Sequence, residues 1–322
     1  MPVLEREMSE ASFFVESPEA GRSNRAQLLH KLRHQRAALI GATILGVAIL
    51  TAVLAPWIAP YDIHTQSGPV FGSPSWKHPM GLDDGGIDML SLVMWGMRIS
   101  LVVGFAATFV SMVIGGSVGL VSGYFGGKTD TILMRITDYF LVIPDVPLMI
   151  VVAAIWGPSL FHVIIVIGIL LWTGTARVIR AQVLSVRERA YVKRTRALGA
   201  GHFRIVARHV LPQVAPLLVA NTVLTVAVAV FDETALSFLG LSDPSRISLG
   251  KLIANAFERA AISAGAWWAI VWPGVLVAII ILACSLLGGA VEDALNPRLR
   301  VAHLSARTFR LRPLVGRGKE AL

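Results

Sequence analysis

Six stretches of this chain are each long and apolar enough to cross a bilayer, and no piece between them is large enough to fold alone. A membrane-crossing helix needs about 20 mostly apolar residues. The stretches are 37–58, 99–123, 136–156, 161–176, 213–231 and 267–291, and the helix of the short fourth one is expected to run on past Arg177. Only 15% of the residues are charged and 55% are hydrophobic, whereas soluble domains carry about 25% charged residues. The sequence predicts an all-α integral membrane protein with six transmembrane helices. A nucleotide-binding or catalytic domain usually needs about 100 residues, and none of the connections provides that length. Energy for any driven work must then come from an ion gradient or another chain.

Basic residues set the expected orientation. With the N-terminus inside, the inner segments 1–36, 124–135, 177–212 and 292–322 hold six, two, nine and seven of the 29 Lys and Arg residues. The outer side keeps Lys77, Arg98, Arg246, Lys251 and Arg259. This bias predicts both ends inside. It also assigns the net charge of +9 to topology rather than to nucleic-acid binding. Glu5, Glu7, Glu10, Glu16 and Glu19 stand where a cleavable signal would carry basic residues, so the first span is read as retained. Over 25–36, Leu28, Leu29 and Leu32 share a helical face ringed by Arg25, Lys31, Arg33 and Arg36. That segment fits a helix lying on the inner leaflet or a plain basic flank. The expected layout is a cytoplasmic segment 1–36, a six-helix membrane domain 37–291 with outer segments 59–98 and 232–266, and a basic tail 292–322.

Two motif matches are set aside. Gly115-Gly116-Ser117-Val118-Gly119 fits a serine nucleophile elbow, which needs a strand-to-helix turn. Here it lies within an apolar helix, and Gly115, Gly119 and Gly123 are spaced for close helix packing. An intramembrane serine protease using Ser117, with His162 as base, is the alternative from a different class. The run from Gly123 to Thr129 lacks the first glycine of a phosphate loop, which Ser122 replaces. The lone Cys284 excludes a disulfide framework, and the eight histidines form no ligand motif, so no metal site is expected.

Function concentrates in residues 187–212, a stretch too basic for the membrane and too apolar for a plain linker. Tyr191, Val192, Leu198, Phe203, Ile205, Val206 and Val210 are apolar, and Leu198-Gly199-Ala200-Gly201 interrupts them. Two short amphipathic helices around a glycine bend are predicted, with Pro212 marking entry to the fifth span. Such a pair suits seating in another protein's groove.

This segment resembles the cytoplasmic loop of importer permeases of the ATP-binding cassette class. Their pattern is E-A-A, three residues, G, nine residues, I, one residue, L-P. Gly199, Leu211 and Pro212 match it, while Lys193, Arg194 and Thr195 replace the triplet and His209 the isoleucine. Residues 236–241 (LSFLGL), which follow Asp232-Glu233, resemble a signature of dipeptide and oligopeptide permeases, C-type subunit. Residues 78–88 (HPMGLDDGGID) resemble their outer segment, with Leu82 and Ile87 departing from it. Residues 293–299 (DALNPRL) resemble their C-terminal motif. The resemblance implies a type I importer permease fold and a peptide-import role. It also implies a homologous second permease, two cytoplasmic ATP-binding subunits, an external substrate-binding protein and a peptide substrate. It implies ATP and magnesium on the partner subunits, with no cofactor on this chain, and it puts Tyr191, Lys193, Arg194, Thr195, Ala197, Leu198, Gly199, Phe203, Leu211 and Pro212 in the coupling loop. A related importer of nickel or another small solute is the alternative within transport.

Polar groups inside spans are costly and point to function. Asp138 is read as interfacial or paired with Arg135 one turn back. Asp145, between Pro144 and Pro147, either lines a pathway or pairs structurally. Asn221 either faces the pathway or ties two helices. Trp267, Trp268 and Trp272 are expected in an interfacial belt.

Overall fold

The computed structural model describes residues 35–295. The expected inner-leaflet helix up to residue 34 and the tail from 296 onward lie outside the described residues. Ten α-helices are labelled here in chain order; among the described residues the one β-type contact is the isolated Leu82–Asp88 bridge.

Helix α1 (Arg36–Ile58) buries Ala38, Gly41, Leu45, Ala48, Ala52 and Ala55, spaced three and four apart. Its larger side chains, among them Leu50, Val53 and Trp57, point outward. Small residues inward and large ones outward suit a helix packed on protein on one side and lipid on the other. A Cβ on Gly41 would stand 2.7 Å from the Ala283 carbonyl of the last helix.

Helix α2 (Met89–Phe125) has 37 residues, about 55 Å of helix, and starts ten residues before the expected span at 99–123. The reason is local. Asp88 caps it, accepting from the Ser91 N–H and hydroxyl at 2.9 Å each, and its other oxygen meets His78 Nδ1 at 2.8 Å. The last acidic residue of the outer motif is thus a helix cap.

The expected third span is not one helix. It is α3 (Gly127–Val142) and α4 (Asp145–Trp156), bent by 85°. Pro144 supplies no N–H and holds Ile143 extended, so the hydrogen-bond ladder cannot pass the joint. Pro147 falls in the first turn of α4, where proline is tolerated.

Helix α5 (Leu160–Arg187) continues past Arg177, as expected, and lies along α2. Helix α6 (Ala190–Ala197) and the single turn α7 (His202–Ile205) follow. Pro212 marks the entry to the fifth span, as the sequence predicts: it is the second residue of α8 (Leu211–Phe238), and a π-helical turn over Val206–Val210 joins α7 to that helix. The wider turn accommodates the proline ring and its missing N–H. Helix α9 (Leu249–Glu258) and α10 (Trp268–Leu295) complete the bundle. Among the described residues, five helical stretches are long and apolar enough to cross a membrane, or six if the bent pair counts as one span.

The tryptophan belt is corrected in part. Trp267 is exposed, but Trp268 is 7% exposed and its indole N–H donates to the Leu82 carbonyl at 3.1 Å. It is a strut that holds the outer segment onto α10, not an interfacial anchor.

Candidate functional site: the basic helical pair and its footing

Residues 187–212 show two faces. Val192, Ile205 and Val210 are buried against Tyr124 of α2, Ile179, Val183 and Val186 of α5, and Val214 of α8. On the other face Leu198 is 88% and Phe203 86% exposed. Lys193, Arg194, Arg196, Ala197, Arg204 and Arg208 are also exposed, and Tyr191 and Leu211 are partly so. The inner face is a covered core, and the outer one is an apolar knob ringed by cations.

The bend between α6 and α7 follows from Gly199. Its φ is +80°, a left-handed conformation that glycine adopts without penalty. Its N–H donates to the Arg196 carbonyl at 3.0 Å and the Ala200 N–H to the Thr195 carbonyl at 3.3 Å. These two bonds are the Schellman closure of a helix. A side chain at Gly199 would meet open space, so within this chain the backbone angle is the whole requirement. The Thr195 hydroxyl donates to the Tyr191 carbonyl at 2.8 Å within α6.

Polar contacts anchor the pair to the bundle. Arg187 Nη1 donates to the Gly123 carbonyl at 2.9 Å and the Tyr124 carbonyl at 3.3 Å, closing the end of α2. Tyr124 Oη and His202 Nδ1 are 3.0 Å apart, and the Arg196 guanidinium lies 5.4 Å from the Tyr124 ring centre. Arg180 of α5 grips Asp130 of α3 through two bonds of 2.5 and 2.7 Å, and the Ser122 hydroxyl donates to the same carboxylate. Lys193 pairs with Glu188 at 2.9 Å. Lys193, with Arg187 beside it, holds the Glu188 carboxyl below the ordinary range.

Gly115, Gly119 and Gly123 line the contact of α2 with α5. A Cβ at Gly119 would stand 2.5 Å from the Ala176 carbonyl, and one at Gly123 2.8 Å from the Val183 Cβ. Ser117 projects from the opposite, exposed side of α2. His162 places Nδ1 3.0 Å from the Gly157 carbonyl at the start of α5.

The intramembrane polar groups separate. Asp138 pairs with Arg177 of α5 at 2.6 Å, not with Arg135. The Asn221 amide donates to the Thr175 hydroxyl at 2.9 Å, which ties α8 to α5. Asp145 stands exposed at the first turn of α4, beside the bend. Two groups escaped the sequence reading, Asp232 and Glu233, because α8 runs on to Phe238 instead of ending at 231. Glu233 is 1% exposed and accepts from the hydroxyls of Ser100 at 2.7 Å and Ser237 at 2.6 Å. The apolar run on both sides of this acidic pair was the available sign that it lies within a helix.

With this architecture in place, comparisons place the chain among known proteins. Residues 115–301 match the family described as "Binding-protein-dependent transport system inner membrane component". Residues 23–71 match the "N-terminal TM domain of oligopeptide transport permease C". The dipeptide transport system permease protein DppC of Haemophilus influenzae is 35% identical over 279 residues, covering 83% of this chain and 92% of that protein. Its Bacillus subtilis namesake is 33% identical over 271 residues, covering 84% of each. A solved methionine ABC transporter, MetNI, in inward-facing form shares the fold, with TM-score 0.53 and 22% identity over 64% of this chain and 97% of that one. The chain therefore belongs to the binding-protein-dependent transport system inner membrane components and is a multi-pass membrane permease.

Proposed function

We propose that the chain is one permease of an ATP-driven peptide importer, crossing the membrane six times with both ends in the cytoplasm. The bent pair α3–α4 serves as one crossing. A homologous second permease completes the pathway, two cytoplasmic subunits bind and hydrolyse ATP with magnesium, and an external binding protein delivers the peptide. This chain makes and breaks no bonds. The observation that carries the reading is the divided face of residues 187–212, buried onto α2, α5 and α8 on one side and presenting Leu198 and Phe203 among cations on the other. When the ATP-binding subunits close, they push this pair. Its footing on Tyr124, Arg187 and Asp130 passes the push into α2, α3 and α5 as a rigid-body rotation.

The test is reconstitution. Vesicles holding both permeases and both ATP-binding subunits, supplied with the binding protein, should accumulate a labelled tripeptide only with internal ATP. Accumulation without ATP, or none with every component present, would refute the reading.

A further inference from the structure

Asp232 is 5% exposed, and its Oδ2 has no hydrogen-bond partner among the described residues. Its neighbour Glu233 is satisfied by two hydroxyls, so the orphaned group belongs to Asp232 alone. Asp232 falls one helical turn from both Ala229 and Leu236. These two share an apolar cluster with Met149 of α4, and Met149 falls one turn after Asp145. Both carboxylates thus stand at the same contact of α4 with α8. Among the described residues, neither forms an ion pair with a basic side chain.

Position in the first turn of α4 gives Asp145 some support from the helix dipole. Asp232, deep within α8, has no such support. A buried carboxylate without a partner is costly, and a second carboxylate at the same helix contact adds repulsion. A cation between them removes both costs. Asp232 lies about 30 Å along α8 from Leu211, which in the proposed orientation is near the outer mouth, where an incoming peptide first meets the bundle. Calcium or magnesium calls for about six oxygen ligands, and no group of three metal-ligating side chains occurs among the described residues. An ammonium donates three hydrogen bonds, which two carboxylates and one water satisfy.

We infer that Asp145 and Asp232 form a cation-receiving site at the outer end of the pathway, which takes the amino-terminal ammonium of the peptide as it leaves the binding protein. The site rests on the peptide-importer reading, and the wild-type complex controls for that reading: if it accumulates no peptide, the importer reading fails and not the site.

Two measurements on the reconstituted complex test it. In uptake of trialanine, Asp232→Asn and Asp145→Asn should each lower the rate roughly tenfold, the scale of one charge-assisted hydrogen bond. The double variant should be little worse than the poorer single one, and Asp232→Glu should recover most of the rate. The second permease should co-purify normally, and the loaded binding protein should still stimulate ATP hydrolysis. In the other measurement, Ile143→Cys, at the exposed bend beside Asp145, should be modified by an impermeant thiol reagent from outside, and no modification in the absence of peptide would overturn the outward-facing site. Millimolar trialanine should slow this several-fold, N-acetyl-trialanine should not, and adding Asp232→Asn should abolish the protection. Full uptake by the double variant, equal protection by both peptides, or loss of the second permease would overturn the site. The last outcome would make the carboxylates a subunit contact. A fall in wild-type uptake when divalent ions are chelated outside the vesicles only, with the internal ATP and magnesium untouched, would also overturn it.

Discussion

Tyr124 Oη, at the C-terminal end of α2, meets His202 Nδ1, at the first residue of α7, across 3.0 Å and 78 residues of sequence. This contact joins the basic helical pair to α2, while the Arg196 guanidinium lies over the same ring. Tyr124→Phe keeps the ring packing and loses the hydrogen bond, at about 0.5–1.5 kcal/mol. The variant should insert normally and hydrolyse more ATP per peptide imported. An unchanged ratio would place the push on another contact.

Gly119 tests the α2–α5 contact. Ala176 O stands 2.5 Å from where its Cβ would be, whereas a Cβ at Gly116 meets Leu218 at 3.4 Å, an ordinary contact. Gly119→Val should cost about 1–3 kcal/mol or more through overpacking and lower the amount of protein in the membrane. Gly116→Ala should be silent. Equal abundance of the two variants would contradict the packing.

Asp88 serves α2 and the outer segment at once, through Ser91 and His78. Removing an N-cap of this kind costs about 0.5–2 kcal/mol. Asp88→Ala should lower the melting temperature of the purified permease, and Asp88→Asn, which still accepts from Ser91, should lower it less. The reverse order would mean that the cap is not the main role of Asp88.

Helix existence and the glycine bend were legible because each is local. Gly199 sits at a Schellman closure, which follows from the chemistry of the residue alone, whereas 136–156 was read as one span although the joint at Pro144 is just as local. Boundaries were harder, because charged residues were used as edges. Arg98 set the expected start of α2, yet the helix begins at its cap, Asp88. Asp232 and Glu233 were taken as the end of the fifth span, yet the Ser100 and Ser237 hydroxyls solvate Glu233 inside α8. Partner choice was harder still. Asp138 was read as interfacial or paired with Arg135 on its own helix, and the fold offers Arg177 from a neighbouring one. Trp268 looked interfacial until the Leu82 carbonyl, 186 residues away, claimed its N–H.

Orientation has its own check. Single cysteines at Ser67 and Ser242, in the proposed outer segments, should react with an impermeant thiol reagent in intact cells, and one at Thr195 should not. The native Cys284 is buried and leaves the background low. Labelling of Thr195→Cys from outside would invert or break the six-crossing layout.

Gly199→Val forces a β-branched residue to φ near +80°, a strain of about 1–3 kcal/mol. No spanning helix depends on that bend. The variant should reach the membrane in normal amount and import little peptide. Normal import at normal abundance would show that the bend geometry is dispensable.

The central claim is that Leu198 and Phe203, exposed on this chain, are where the ATP-binding subunits take hold. Phe203→Asp removes nothing from the buried face of the pair, so the permease itself should be unaffected in abundance and melting temperature. The measurement is co-purification of the ATP-binding subunits with the Phe203→Asp permease, scored against wild type at matched abundance, with peptide uptake in the same vesicles. The account predicts that both fall at least roughly tenfold, as for an interface anchor worth 2 kcal/mol or more. Wild-type co-purification together with wild-type uptake would contradict it.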